Sequence, residues 1–183
     1  MVSKPLLGVD VDLTICPSDK GWFDYLKYLS GFGKVVHRTD GMLEYDLSKM
    51  FPNVGDPYDY WRALDYSQFE PLEGSVEALE ALSEHFDVVF ISQHKGNHSK
   101  SKYYWIEEYF PFKKGVMLTK EKFLMAGAVV AMIDDRKEHL KGFDFNQRIW
   151  FNTPYTQTED CEVAIKFNVW NDTIVDLVKE VYL

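Results

Sequence analysis

The sequence predicts an α/β fold: a parallel sheet flanked by helices, with a small helical cap inserted after the first strand. Three observations carry this. Four continuous apolar runs lie between turn signals, as suits strands covered on both faces. Helical patterns alternate with those runs. One stretch near the N-terminus breaks the alternation and is unusually aromatic.

The strands, in order, are expected at Leu6 to Val9, Val88 to Ile91, Val129 to Ile133 and Arg148 to Phe151, with Val116 to Leu118 as a weaker fifth. Between them, Val76, Leu79 and Leu82 fall on one face of a helix beginning after Gly74. Ile106, Tyr109 and Phe110 mark a second helix. Ile174, Leu177, Val178 and Val181 mark a C-terminal one, capped by Asn171 or Asp172. From about Pro17 to Glu70 aromatic side chains crowd the chain, among them Trp22, Phe23, Tyr25, Phe32, Tyr60, Trp61 and Tyr66. Gly31, Gly41, Pro52, Gly55 and Pro57 cut that stretch into short helical pieces. It is expected to form a helical cap, residues 17–70, on a core made of 1–16 and 71–183, with most of its rings packing its own small core.

Composition sets the outer bounds. A chain of 183 residues with 46% hydrophobic and 27% charged content can bury one core and carry a modest insertion. No apolar run approaches the ~20 residues that cross a bilayer, so no membrane span is expected. The first strand ends in carboxylates rather than small residues, which argues against a signal peptide. Cys16 and Cys161 lack metal-ligand spacing and read as two reduced thiols in a cytoplasmic protein. The net charge of -9 argues against a polynucleotide partner, because the lysines are scattered apart from Lys95, Lys100 and Lys102. A small anion held by a few local cations and a metal fits an acidic surface. A homodimer is compatible with the sequence.

The chemistry concentrates at strand ends. Asp10-Val-Asp12-Leu-Thr14 directly follows the first strand, and Asp134-Asp135 closes another in the same manner. A single Asp there is ordinarily a turn or helix cap. Two pairs at carboxyl ends of parallel strands, where open α/β sheets bind ligands, crowd negative charge that needs a cation or a reaction. Hard oxygen ligands of this kind read as a magnesium site. Ser92 follows a third strand and can hydrogen-bond a phosphoryl oxygen. A buried lysine must offset the carboxylates and the phosphate, with Lys102 and Lys122 as the candidates.

In this order the residues resemble the haloacid dehalogenase superfamily of phosphatases. That pattern is a strand ending in DxDxT, a strand ending in Ser or Thr, a Lys, and a strand ending in paired Asp. Asp10, Asp12, Thr14, Ser92, Lys122 and Asp134-Asp135 fill those places. Within the superfamily the chain is similar to the 5′(3′)-deoxyribonucleotidases. The similar segments are the one beginning Pro71-Leu-Glu-Gly74, the helix Lys102-Tyr-Tyr-Trp105-Ile-Glu107-Glu-Tyr109, and Leu118-Thr-Lys-Glu-Lys122 with Ile133-Asp134-Asp135-Arg136. Trp150-Phe151-Asn152-Thr-Pro154 and Trp170 also have counterparts. The likeness runs from Pro71 to the end and includes the first motif before it. Leu13 stands where a Gly is usual, and Gln93 follows Ser92 in place of a Ser-Pro pair.

The resemblance implies a Rossmann-like core and hydrolysis of nucleoside monophosphates. Asp10 would be the nucleophile and Asp12 the general acid and base. Magnesium would be held by the Asp10 carboxylate, the Asp12 backbone carbonyl, and the Asp135 and Asp134 carboxylates. Ser92, with Thr14, Gln93 and the amides after Asp10, would bind the phosphoryl oxygens. Lys122, preceding the Asp pair in one short helix, would be the motif lysine, and Lys102 and Lys95 would reach phosphate from the side. Phe23 and Trp61 would stack on the base as the cap closes. The competing readings are another small phosphate ester, a 3′-phosphate end of nucleic acid, and a binding protein that keeps the fold without turnover. A cap with no basic groove opposes the second, and the presence of Asp10 and Asp12 opposes the third.

Overall fold

A computed structural model describes residues 3–31, 33, 35–37, 44–94, 98–157 and 159–183. Phe32, Gly41 and Lys95 lie outside the described residues. The described strands are β1 (Leu6–Val9), β2 (Asp87–Ser92), β3 (Gly115–Leu118), β4 (Val129–Asp134), β5 (Arg148–Phe151) and β6 (Ile165–Phe167). They form one sheet in the order β3-β2-β1-β4-β5-β6, and every pairing is parallel. The weak fifth run is the β3 edge. The strand the sequence reading lacks is β6, whose three residues alternate from buried Ile165 to exposed Lys166. That is too short and too mixed to stand out as an apolar run.

Alternation along the inner strands assigns their two faces. Val88, Phe90, Ala131, Ile133, Ile149 and Phe151 join the larger core, with the helices α3 (Ser75–Ser83), α4 (His98–Tyr109) and α6 (Asp172–Tyr182). Ile91, Met132 and Trp150 point the other way, into a smaller core with Leu140 of α5 (Lys137–Leu140) and Phe143. Helix α6 begins where Asn171 accepts from the Ile174 N–H at 3.3 Å, a side-chain cap on an otherwise orphan donor. Gly74 precedes α3 with φ 76°, and a Cβ there would run into the Trp170 carbonyl. Only glycine meets both demands.

Between β1 and α3 lie α1 (Ser18–Leu29), a 3₁₀ turn at Leu47–Met50, α2 (Asp59–Ala63) and a second 3₁₀ turn at Tyr66–Gln68. Trp22, Leu26, Leu47, Met50 and Phe51 make an apolar cluster of their own, with Phe23, Tyr60 and Trp61 packed against it. Leu64, Tyr66 and Phe69 instead belong to the larger core, and the Trp105 indole donates to the Phe69 carbonyl at 2.7 Å. The chain thus returns to the sheet already anchored before Pro71. Among the described residues no helix is long and apolar enough to cross a membrane.

Candidate active site

Three neighbouring strands deliver the polar groups to one edge. Asp10 follows β1, Ser92 ends β2 and Asp134 ends β4, and the Asp10 N–H donates to the Ile133 carbonyl at 2.8 Å. The chain then turns tightly. The N–H groups of Ile15 and Cys16 both donate to the Val11 carbonyl, at 3.0 and 2.9 Å, and the Leu13 N–H donates to Cys16 at 2.8 Å. This fold-back places Leu13 at φ 62°, the left-handed region. Two indoles fix the acidic loops from behind: Trp170 donates to the Thr14 carbonyl at 2.9 Å and Trp150 to the Asp135 carbonyl at 2.8 Å. The Lys137 and Lys166 ammonium groups lie 4.3 and 4.6 Å from the Trp150 ring centre.

Thr14 joins the two loops. Its Oγ1 accepts from the Asp135 N–H at 3.1 Å and its hydroxyl is directed at Asp135 Oδ1, 3.5 Å away. Fully buried, it is not among the residues lining the cavity, so it supports Asp135 from below.

Both candidate lysines are buried, Lys122 between two carboxylates and Lys102 on a third. Lys122 Nζ lies 2.8 Å from Asp10 Oδ1 and 2.7 Å from Asp134 Oδ2. Burial opposes its charge, but Asp10 and Asp134 outweigh that and hold the ammonium above its ordinary range. Lys102, entirely buried on α4, donates to Asp12 Oδ2 at 2.7 Å, Ser92 Oγ at 2.9 Å and the Gln93 carbonyl at 2.8 Å. Burial would raise the Asp12 carboxyl, yet Lys102 and the Tyr66 hydroxyl overcome it and hold the group below its usual value. The same burial and the Lys102 charge push His98 down to about 4, so its imidazole is neutral near pH 7.

The paired aspartates differ. Asp134 accepts from Lys122, from the Arg136 N–H at 2.9 Å and from His139 Nδ1 at 3.2 Å. Burial opposes its ionisation, but Lys122 and His139 prevail and keep it well below the carboxylate range. Asp135 is pushed the other way, well above that range, by burial and then by Asp134 and Asp10. Its Oδ2 is buried with no hydrogen-bond partner among the described residues. Burial also raises Asp10, reinforced by Asp134 and opposed by Lys122. One oxygen each of Asp10 and Asp134 and a ring nitrogen of His139 lie within 4.8 Å of one another. Asp134 and His139 are, however, already hydrogen-bonded to each other. The unsatisfied oxygen on Asp135 and the strained ionisation of Asp10 fit a hard divalent cation better than that trio does.

These groups floor a cavity of about 330 Å³. Asp10, Asp12, Ser92, Gln93, Lys122 and Asp135 line it below, and Trp22, Trp61, Tyr58 and Leu47 close it from the inserted segment. Trp61 therefore faces the space, with its ring edge-on to Trp22 at 5.4 Å. Phe23 does not line it; it packs edge-on against Phe51, also at 5.4 Å, within the inserted cluster. Gln93 reaches His139 at 3.3 Å, an arrangement that suits an imidazole accepting at Nε2 and donating from Nδ1 to Asp134.

Sequence reasoning left several of these residues out. Tyr66, whose hydroxyl donates to Asp12 Oδ1 at 2.6 Å, was one ring among many with no local signal. His139 lies four residues after Asp135, a spacing across the start of a helix that could have found it. Arg136, lying 4.1 Å over the Tyr45 ring, and Tyr155, donating to Asp19 at 2.7 Å, join elements far apart in sequence.

A parallel sheet with two acidic loops at its carboxyl edge and two buried lysines among their carboxylates is the arrangement that the resemblance to the haloacid dehalogenase phosphatases implies. Solved structures agree on the fold. A haloacid dehalogenase-like hydrolase from Burkholderia xenovorans LB400 superposes with a TM-score of 0.64 at 12% identity, over 100% of both chains. The hydrolase YfnB from Bacillus subtilis, solved bound to magnesium, gives 0.56 at 15% identity over 97% of this chain and 99% of that one. The family model described as 5′ nucleotidase, deoxy (pyrimidine), cytosolic type C protein (NT5C) matches residues 4–180, and the chain belongs to that family. A 5′(3′)-deoxyribonucleotidase of Bacillus subtilis (strain 168) is 26% identical over 165 residues, covering 86% of this chain and 90% of the relative.

Proposed function

We propose that this chain is a magnesium-dependent phosphomonoesterase that hydrolyses (deoxy)nucleoside monophosphates through an aspartyl-phosphate on Asp10. The observation that carries the reading is the division of labour between the lysines. Lys122, on the floor of a cavity closed by aromatic rings, is paired with Asp10, and Lys102, fully buried behind that floor, is paired with Asp12 and Ser92, which line it. The family and the name of the Bacillus relative supply the substrate class. Residues 17–70 would act as a cap over a core of 1–16 and 71–183, with Trp61 as the stacking ring, and the two free thiols suit the cytoplasm.

In the proposed reaction the phosphoryl group rests against Ser92, Lys102 and Lys122, with Gln93 at its side. An Asp10 oxygen attacks phosphorus as the ester P–O bond breaks, and Asp12, which takes up a proton from solvent once the phosphoryl group competes for Lys102, gives that proton to the leaving oxygen. Water then attacks the aspartyl-phosphate, Asp12 takes the water's proton, and the Asp10–phosphorus bond breaks. Asp10, the Asp12 backbone carbonyl and Asp135 would hold magnesium, which neutralises charge on the transferring group when bound. Thr14 keeps Asp135 turned toward that position.

The test is phosphate release from a panel of nucleotides, sugar phosphates and p-nitrophenyl phosphate, with magnesium and with chelator. Nucleotides should be preferred, chelation should stop turnover, and Asp10→Asn should lower it by orders of magnitude in a folded protein. Equal use of sugar phosphates overturns the substrate class. Undiminished turnover by Asp10→Asn overturns the covalent route.

A further inference from the structure

The Asp12 carboxylate is gripped at both oxygens, and the two grips differ. On Oδ2 is Lys102, which also reaches Ser92 Oγ and the Gln93 carbonyl at the end of β2. On Oδ1, at 2.6 Å, is the Tyr66 hydroxyl. The Tyr66 ring is completely buried and wedged among His98, Trp105 and Phe69, with ring centres 5.7, 6.3 and 6.3 Å away. The Tyr66 backbone N–H donates to Ser101 Oγ at 3.4 Å, and Lys102 Nζ lies 5.1 Å from the ring centre. A phenol so packed cannot follow a carboxylate that moves; the carboxylate must stay where the phenol holds it.

We infer that Tyr66 is a positioning residue for Asp12, dedicating one carboxyl oxygen to a fixed hydrogen bond so that the other exchanges protons with the substrate. A phenolic O–H can donate both to a carboxylate oxygen, where the bond is stronger, and to the carbonyl oxygen of a neutral carboxyl. Oδ1 can therefore keep its partner throughout the cycle. Oδ2 is the oxygen whose partner is shared with Ser92, and an arriving phosphoryl group competes for that lysine. Asp12 is ionised while Lys102 donates to it. As the phosphoryl group takes over that lysine, Oδ2 takes up a proton from solvent. In the first step this proton passes to the leaving oxygen while the Asp10–phosphorus bond forms and the ester bond breaks. In the second, Oδ2 takes a proton from the attacking water as the Asp10–phosphorus bond breaks. Tyr66 neither gains nor loses a proton. The inference rests on the assignment of Asp12 as acid and base proposed above.

A leaving-group comparison separates positioning from packing. The ratio kcat/KM covers the steps up to ester cleavage, and an alkoxide leaving group needs the proton from Asp12 far more than p-nitrophenolate does. Tyr66→Phe keeps the ring and removes the hydroxyl. It is expected to lower kcat/KM for a nucleoside 5′-monophosphate about ten-fold or more, a part of the full general-acid effect, while p-nitrophenyl phosphate loses no more than about two-fold. Equal fractional losses on the two substrates, or no loss on either, overturn the inference. If circular dichroism shows Tyr66→Phe to be unfolded, Tyr66→Leu is put through the same comparison and judged by the same ratio. An alkyl sugar phosphate is run alongside. A wild-type protein that uses it but no nucleotide refutes the nucleotide reading, while the contrast with p-nitrophenyl phosphate still decides the role of Tyr66.

Discussion

Leu13 holds its backbone at φ 62° while its side chain lines the cavity. For a residue with a Cβ that conformation costs about 1–2 kcal/mol, and glycine would give back about 0.5–1 kcal/mol as greater freedom of the unfolded chain. Leu13→Gly is therefore expected to leave thermal stability unchanged or raised by up to about 1 kcal/mol, whereas Leu13→Val, branched at Cβ, should lower it. Melting curves of the two variants check this, and a Gly variant less stable than the Val variant contradicts it. At Asp135 the ionisable group itself is the burden. Its folded pKa is raised above the unfolded value of 3.8. Its contribution to stability is thus fully present below pH 3.8 and is lost as the pH climbs toward the folded value. At neutral pH without metal it destabilises, so Asp135→Asn should be more stable than wild type by about 1 kcal/mol or more, roughly 2–4 °C in Tm, with the gain shrinking in excess magnesium. A metal-free Asn variant that melts below wild type at pH 7 contradicts the assignment. The carboxylates themselves were legible because DxDxT and Asp-Asp follow apolar runs. The fates of Asp134 and Asp135 were not, since which one is satisfied depends on His139, Lys122 and Thr14, brought together only by folding.

Each inner strand could be read in advance because burial on both faces writes it as an unbroken apolar run, as at Val129–Asp134. Helix α4 was visible through Ile106 and Tyr109, but the depth of Lys102 was not: a lysine on a helix face ordinarily reaches solvent, and here α4 directs it under β2. The inserted elements were legible only as a region. Trp61 on α2 and Phe23 on α1 carry the same sequence signal, yet one faces the cavity and the other packs on Phe51. Trp61→Ala should raise the KM for nucleotides by roughly ten-fold, on the ~1–3 kcal/mol scale of base–aromatic stacking, and change p-nitrophenyl phosphate hydrolysis far less. Equal losses on both substrates would assign Trp61 to packing alone. Phe23→Leu should leave both substrates within about two-fold, because it alters contacts inside the cluster only.

Over the whole molecule the net charge is -9, and part of it is concentrated at one sheet edge. Four carboxylates there, Asp10, Asp12, Asp134 and Asp135, face two lysines, Lys102 and Lys122, leaving a formal excess of two negative charges. That excess matches one divalent cation. Without the cation, that crowding and burial raise the carboxyls of Asp10 and, further, Asp135. Magnesium binding is therefore expected to release protons and to weaken as the pH falls. Calorimetric titration in buffers of different ionisation enthalpy reads the proton count directly, and a heat independent of buffer would contradict it. The hydrogen bond from the Trp150 indole to the Asp135 carbonyl, beneath the ammonium groups of Lys137 and Lys166, gives this event an optical outlet. An indole is a fluorophore whose emission colour and yield respond to its hydrogen bond and to nearby charge. If the proposed cation binds at Asp135, Trp150 emission is expected to change as magnesium is added, and the change should be lost in Trp150→Phe.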